Sequence, residues 1–481
     1  MAYCRFASLF VLLMLACSQV SAEDKTPVEG AEARNAWLYT NSGKDGSFRK
    51  VTEKGWQETT PDGEDYQFEQ VDCQDKYIEL FDQSRSMWLR LYSDHVEWRR
   101  EEKPPWNKLY DGRWVTLSTL PKLPTADYKI RLAYFVPTDR EPTPDYEKKI
   151  RVVMHFVSEV YRQDFEARRI RSEGLRFDSK DGQPVVHLIR GARKAEFYNN
   201  APNYDPQNQW KLILPEIPKS VGLPGRNVII VFAETYDSGT AKFEWPGGVA
   251  LGSRFSTDGG VGLFSSWILR PEFCDTTIEK QKKLFFDTTP IKGRIALGHG
   301  GQDSPRFEFI EDGFGAVAHE LGHALGLPHD NRQDHLDIMG NGFRNLRWNF
   351  KPVPDPERRA RFSDDNARIL YSSRYLASDL TLTDRLAPTV KLDWAAPLKV
   401  GDTKIKVTVT ASDDKGLRAI AFFSPAQDSV VGGRALTGKK QEFEQTLEVK
   451  PLKAGEFLLK LLLTDAGGNL THAELKGTAA K

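Results

Sequence analysis

The chain has 481 residues, a length that usually corresponds to about three domains. It carries 67 basic and 67 acidic side chains, so its net charge of zero gives no indication of a nucleic-acid partner. Aromatic residues make up 11% of the chain, which is enough to build several apolar cores and excludes global disorder.

The N-terminus predicts an export signal. Arg5 supplies a positive charge, residues 6–16 form an apolar stretch, and Val20-Ser21-Ala22 is a small-residue cleavage site. That stretch is too short to cross a bilayer, and because no later stretch is long enough, no transmembrane segment is predicted. We therefore expect a signal peptide over residues 1–22 and an exported protein that is secreted, periplasmic or at the cell surface. A second hypothesis is a lipoprotein anchored through Cys17.

Residues 36–118 predict a small β-rich module. Six of the 11 tryptophans lie between Trp37 and Trp114, in short alternating runs that are separated by turn residues. Aromatic side chains at strand spacing usually form a core, although they could also contact a glycan or a cell surface. A role as an inhibitory propeptide stays open. Cys73 in this module and Cys274 further along could form a disulfide in an oxidising compartment.

After a proline-containing linker at residues 121–124, strands and helices alternate. Residues 128–136 predict a strand, and Thr143-Pro144 predicts the capped start of an amphipathic helix. Further strands are predicted at residues 185–189 and 228–232, the second apolar enough for the middle of a sheet. Ser363 is predicted to cap a last helix, after which this domain should close near residue 380.

Residues 319–329 have the pattern H-E-x-x-H-x-x-G-x-x-H, in a helix predicted to begin near Asp312 or Gly313. A helix places His319 and His323 one turn apart on the same face, where they can bind a single ion. Gly326 can adopt a positive φ and turn the chain so that His329 becomes a third ligand. Three histidines leave one position on Zn²⁺ for water. The pattern thus indicates one catalytic zinc ion, with Glu320 as the general base.

This pattern, followed by Met339 ten residues after His329, resembles the metzincin zinc peptidases. Asp330 directly after the third histidine is similar to the reprolysin (adamalysin) pattern, whereas the short distance to the methionine is similar to the pappalysins. The resemblance implies that Met339 forms an apolar floor beneath the histidines and that Asp330 orients the turn. It also implies a catalytic domain, which we place at residues 125–380, with an exposed edge strand near residues 247–252 that holds the substrate.

Residues 387–481 predict about seven short strands, which would suit an immunoglobulin-like β-sandwich. The polar turns at residues 412–416 and 464–469 resemble those of bacterial immunoglobulin-like domains. Their carboxylates could bind Ca²⁺, but tight polar turns account for them without an ion. The predicted fold class is therefore multidomain, with an α/β (α+β) metzincin catalytic domain between a small N-terminal β module and a C-terminal sandwich.

The function expected from these features is that of a secreted zinc endopeptidase. It would hydrolyse protein or peptide substrates through a zinc-bound water that Glu320 activates. Two alternatives belong to other functional classes: an extracellular binding or adhesion protein that uses this scaffold, and a zinc hydrolase of a non-peptide bond.

Overall fold

The computed structural model describes residues 34–480, except for residues 51–53, 62–64, 83–84, 101–104, 121–126, 173, 238–247, 299–300, 354 and 385. The predicted signal peptide over residues 1–22, with Cys17 inside it, lies outside the described residues. Among the helices that are described, none is both long and apolar enough to cross a membrane.

Eight antiparallel strands in the N-terminal region form a closed barrel. Their bounds are β1 (Ala36–Asn41), β2 (Lys44–Lys50), β3 (Gly55–Thr59), β4 (Asp65–Cys73), β5 (Ile78–Asp82), β6 (Met87–Leu91), β7 (His95–Arg99) and β8 (Asn107–Trp114). Each strand pairs with the next, and β1 pairs with β8, which closes the sheet. Trp37 and Trp56 are completely buried in its apolar core, as expected for aromatic residues at strand spacing.

A five-stranded sheet forms the centre of the molecule, in the order β12-β9-β13-β15-β14. A two-stranded hairpin precedes β12, and the bounds in chain order are β9 (Arg131–Val136), β10 (Ser179–Lys180), β11 (Gln183–Pro184), β12 (Val186–Arg190), β13 (Val228–Ala233), β14 (Ala250–Arg254) and β15 (Gly260–Ser265). The first four strands of the sheet are parallel, and β14 pairs antiparallel with β15 at the edge. Every residue of β13 is buried, which confirms its predicted central position.

The predicted edge strand is present, but it begins at Ala250 and ends at Arg254. Gly247, where the prediction began, lies outside the described residues. The strand predicted from residue 128 begins only at Arg131, because Tyr128 has a left-handed φ of 47° that an extended strand does not allow.

Within the described residues, six α-helices accompany the central sheet: α1 (Tyr146–Ala167), α2 (Ala195–Asn199), α3 (Pro206–Ile213), α4 (Ile278–Leu284), α5 (Arg306–Ala324) and α6 (Asp364–Leu370). Short 3₁₀ turns occupy residues 117–119, 214–216, 266–269 and 342–349. The prediction for α6 is confirmed, because the Ser363 hydroxyl accepts a hydrogen bond from the backbone N–H of Asn366.

Two helix starts differ from the prediction. Helix α1 begins after Asp145, and the Thr143 hydroxyl donates to the buried carboxylate of Glu234 (3.1 Å) instead of capping the helix. Helix α5 begins at Arg306, six residues before Asp312, and it includes an internal glycine at 315. A Cβ at Gly315 would lie 2.2 Å from the Phe343 carbonyl oxygen, so this glycine allows the helix to pack closely against the 342–349 turn.

The C-terminal region is a sandwich of two antiparallel sheets, ordered β16-β17-β20 and β19-β18-β21-β22. The strands are β16 (Thr389–Trp394), β17 (Lys404–Ser412), β18 (Leu417–Ser424), β19 (Ser429–Ala435), β20 (Lys440–Glu448), β21 (Gly455–Asp465) and β22 (Leu470–Ala479). Side chains from both sheets form one apolar core between them. The described residues thus contain the seven strands that the pattern predicts.

The sandwich is joined to the central region by apolar and polar contacts. Ala419, Ala421, Leu462 and Leu470 of the sandwich belong to the same apolar cluster as helices α1 and α5. Arg374, whose side chain is 1% exposed, forms an ion pair with Asp258 of the central region and donates hydrogen bonds to sandwich residues. The two regions therefore share a core.

Candidate metal centre

Helix α5 carries the first two histidines of the motif. Their Nε2 atoms are 3.1 Å apart, and His319 is the more buried of the two. Two nitrogens that bind one tetrahedral zinc ion at its usual bond length are separated by about 3.3 Å. The distance between His319 and His323 thus fits a shared ion.

The turn after helix α5 brings the third histidine to the other two. Gly326 has a φ of +99°, its N–H donates to the His323 carbonyl, and the N–H of Leu327 donates to the Gly322 carbonyl. This is a Schellman ending, which reverses the chain direction after a helix. One nitrogen from each of His319, His323 and His329 then lies within 4.8 Å of the others, so the three side chains could hold a metal ion.

Each of the three imidazoles is oriented by a hydrogen bond at Nδ1. His319 contacts the Ile338 carbonyl at 2.6 Å and His323 contacts the Leu327 carbonyl at 2.8 Å. His329 contacts the Asp428 carboxylate at 2.8 Å. An acceptor at Nδ1 keeps the proton on that nitrogen and leaves the Nε2 lone pair for a metal, as is usual for histidine ligands.

The surroundings keep the helical pair of imidazoles neutral. Burial and the neighbouring imidazole lower the pKa of His319 to about 3. Burial and the nearby His329 lower the pKa of His323 to about 4. Metal binding requires the neutral imidazole, so both side chains are in the binding form at neutral pH.

Glu320 is a residue of helix α5 and lies where the helix packs against Gly252 of the edge strand β14. Burial raises the pKa of its carboxyl to about 7, and a hydrogen bond with the backbone of Gly252 limits this increase. A Cβ at Gly252 would lie 2.1 Å from the Glu320 carbonyl oxygen, so only glycine allows β14 to approach the helix this closely. The carboxylate and the edge strand are therefore adjacent.

Asp330 and Met339 are both completely buried beside the histidines. The Asp330 carboxylate accepts hydrogen bonds from the backbone and the guanidinium of Arg332 (3.2 and 2.9 Å), and its N–H donates to the Met339 carbonyl (3.0 Å). The Met339 sulfur lies against Gly322 of helix α5, where a Cβ would be 2.4 Å away. These two residues hold the chain after His329 against the underside of the helix.

The structure does not contain the disulfide that the sequence left open. Cys73 is exposed on the barrel, where its sulfur contacts Arg34 (3.6 Å). Cys274 is buried in the core of the central region, with its sulfur near the Lys149 carbonyl (3.7 Å). Both are free cysteines, because one lies on the surface of the barrel and the other within the central core.

The polar turn at residues 412–416 contributes to one carboxylate cluster. Oxygens of Asp413 and Asp414 in this turn, and of Asp384 in the segment before the sandwich, lie within 4.8 Å of one another. Asp413 Oδ1 accepts hydrogen bonds from the N–H groups of Lys415 and Gly416, as expected for a tight polar turn. These hydrogen bonds fit the interpretation of tight polar turns without an ion, and calcium binding stays an untested alternative.

Sequence reasoning did not identify Asp428 as part of this site. It lies 99 residues after His329, in the loop between β18 and β19 of the sandwich. No local motif signals a contact over that separation.

Comparisons with known proteins support a peptidase. Residues 182–411, slightly less than half of the chain, match a family described as "Putative peptidase family" (Metallopep). No curated protein matches the chain.

The fold is similar to that of OgpA from Akkermansia muciniphila. A catalytically inactive form of OgpA, solved with an O-glycopeptide (glycodrosocin) substrate, aligns with a TM-score of 0.50 and 18% identity, covering 73% of this chain and 92% of that one. A wild-type OgpA structure aligns with the same TM-score and identity, covering 75% and 95%. The match to the peptidase family, together with a histidine cluster that could hold a metal, supports a metallopeptidase.

Proposed function

We propose that this protein is an exported, zinc-dependent endopeptidase of the metzincin type. The observation that carries the proposal is the cluster of His319, His323 and His329, with each Nδ1 held by an acceptor. A site with three protein ligands leaves a position for water, which is typical of catalytic rather than structural zinc.

The residues of the site divide the chemistry between them. Bound zinc would lower the pKa of a coordinated water to about 7 and polarise the scissile carbonyl. Glu320 accepts the proton of the attacking water and delivers it to the leaving amine. The three histidines would hold the ion, and Asp330 and Met339 keep the turn that carries His329 in place.

The edge strand β14 is the proposed binding surface for the substrate backbone. It pairs with β15 along one edge, and an extended peptide can add to the other edge through main-chain hydrogen bonds. Because Gly252 of β14 packs closely against Glu320, a peptide bound there would lie near the proposed general base. Residues 340–343 would wall the pocket for the residue that follows the cleaved bond, as the metzincin resemblance implies.

The proposal includes the domain organisation predicted from the sequence. A signal peptide over residues 1–22 would be followed by a β module at 36–118, the metzincin-like domain at 125–380 and an immunoglobulin-like sandwich at 387–481. The substrate is a protein or peptide, and the flanking β domains could contact a glycan or a cell surface. Export rests on the N-terminal sequence, and lipid attachment at Cys17 remains the second hypothesis.

The decisive variant is Glu320→Ala. Mature protein should cleave members of a peptide mixture that includes O-glycosylated peptides, since OgpA was solved with an O-glycopeptide. A chelator should abolish cleavage. Loss of the general base in Glu320→Ala should lower the rate of peptide cleavage, measured by mass spectrometry, at least ~10²-fold. Metal analysis should show that zinc is still bound. Glu279→Ala, on the exposed face of helix α4, is the matched control and should leave the rate unchanged.

Two outcomes would contradict this proposal. Cleavage that survives in Glu320→Ala would remove the assigned general base. A parent protein with full zinc occupancy and no peptide cleavage would favour a binding protein or a hydrolase of another bond.

A further inference from the structure

The loop between β18 and β19 of the sandwich lies directly on the turn that carries His329. The N–H of Val430 donates to the His329 carbonyl (2.9 Å), and the N–H of Asn331 donates to the Ser429 hydroxyl (2.9 Å). The Asn331 side-chain amide donates to the Asp428 carbonyl (2.7 Å). These contacts fix residues 428–430 of the sandwich against residues 329–331 of the turn, next to the contact between the Asp428 and His329 side chains.

Asp428 is held in a defined conformation by this docking. Its φ of 47° lies in the left-handed region, which aspartate tolerates better than most residues. From this position its carboxylate reaches Nδ1 of His329 at 2.8 Å. His319 and His323 use backbone carbonyls for the same purpose, so His329 alone of the three depends on a side chain.

We propose that Asp428 is a positioning residue of the metal centre, supplied by the C-terminal sandwich. Its carboxylate accepts the Nδ1 proton of His329, fixes the tautomer, and directs Nε2 toward the ion. Carboxylate acceptors of this kind orient histidine ligands and increase their basicity, and their loss typically lowers metal affinity about 10- to 100-fold. The inference rests on the proposed zinc site and adds that the site is complete only with the sandwich docked.

The carboxylate is 63% exposed, and an ion pair this exposed contributes little to folding stability. A purely structural role for Asp428 therefore predicts neither a change in zinc affinity nor a change in the environment of the metal. The positioning role predicts both. Zinc affinity and the spectrum of the metal-substituted protein distinguish the two roles.

The test compares Asp428→Gly and Asp428→Asn in the full mature chain. Glycine accepts a left-handed φ and removes the carboxylate, whereas asparagine keeps a neutral acceptor of the same shape. We expect zinc affinity, measured by competition with a chromophoric chelator, to fall about 10- to 100-fold in the glycine variant and less in the asparagine variant. The absorption spectrum of the cobalt-substituted protein should also change more in the glycine variant than in the asparagine variant. Asp393→Asn, at a side chain with 62% exposure on β16, is the matched control and should bind zinc like the parent.

The outcomes separate this inference from the proposed function. Parental zinc affinity and cobalt spectrum in a folded Asp428→Gly protein would overturn the positioning role and leave the peptidase proposal standing. If that variant does not fold, Asp428→Asn decides, and parental affinity there together with an unchanged spectrum overturns the role. A parent that binds zinc tightly but cleaves no peptide would overturn the peptidase proposal alone, and a parent that binds no zinc would overturn both.

Discussion

The two β domains that flank the central region differ in how they are attached to it. Among the described residues, the apolar core of the barrel consists of barrel side chains alone. A cleft of about 910 Å³ lies between the barrel, the 254–258 segment and the sandwich. The sandwich instead contributes Ala419, Ala421, Leu462 and Leu470 to the core of the central region. The barrel is thus an appended module, and the sandwich is a structural part of the catalytic unit.

The largest difference is expected between deletion of the barrel and deletion of the sandwich, in whether the remaining chain folds and binds zinc. A chain that begins at residue 127 lacks the barrel and should still unfold cooperatively and bind zinc, because its core is intact. A chain that ends at residue 386 should be insoluble or unfolded, since removal of the sandwich exposes the shared apolar cluster to water. Circular dichroism melting and zinc content measure both results. A folded, zinc-binding chain without the sandwich would contradict the comparison.

The second-largest difference is expected between a buried and an exposed ion pair at the junction of the sandwich with the central region, in the free energy of unfolding that each contributes. Arg374 is buried and bonds to Asp258 and to Asn469 of the sandwich, so Arg374→Met should cost about 3–5 kcal/mol in the free energy of unfolding. Arg418 pairs with Asp379 across the same junction, where the aspartate is 70% exposed. Arg418→Met should therefore cost only about 0–1 kcal/mol. Urea denaturation gives both values, and equal costs would mean that the buried network does not hold the sandwich in place.

Two leucine truncations should give the smallest effect on the catalytic unit. Leu89 in the barrel core and Leu462 in the shared core are both buried, and Leu→Ala at such sites costs about 2–5 kcal/mol locally. Only Leu462→Ala should lower the temperature at which peptidase activity is lost. Activity measured after brief heating tests this, and equal sensitivity in Leu89→Ala would show that the barrel stabilises the catalytic unit.

The features that the sequence predicted best depend on short-range patterns. The spacing of the motif predicted that the His319, His323 and His329 side chains would meet at one metal site, with Gly326 reversing the chain before His329. The apolar run of β13 indicated the middle of a sheet. The predicted start of helix α5 was wrong. Its first turns are buried on nearly all sides, so Phe307, Phe309 and Ile310 show no amphipathic pattern that would mark where the helix begins. The Asp428 contact was not predictable, because it depends on how the sandwich docks and has no local sequence signal.

The position of the shared core along the chain has a consequence for protein synthesis. Domains generally fold as units while the chain emerges from the ribosome, N-terminal domains first. The barrel can complete its core soon after Trp114 has emerged, whereas the core of the central region still lacks Leu462 and Leu470 at that stage. A premature stop before Leu462 would therefore leave the central region without part of its core. The newly made chain should need protection from aggregation until strands β21 and β22 are available.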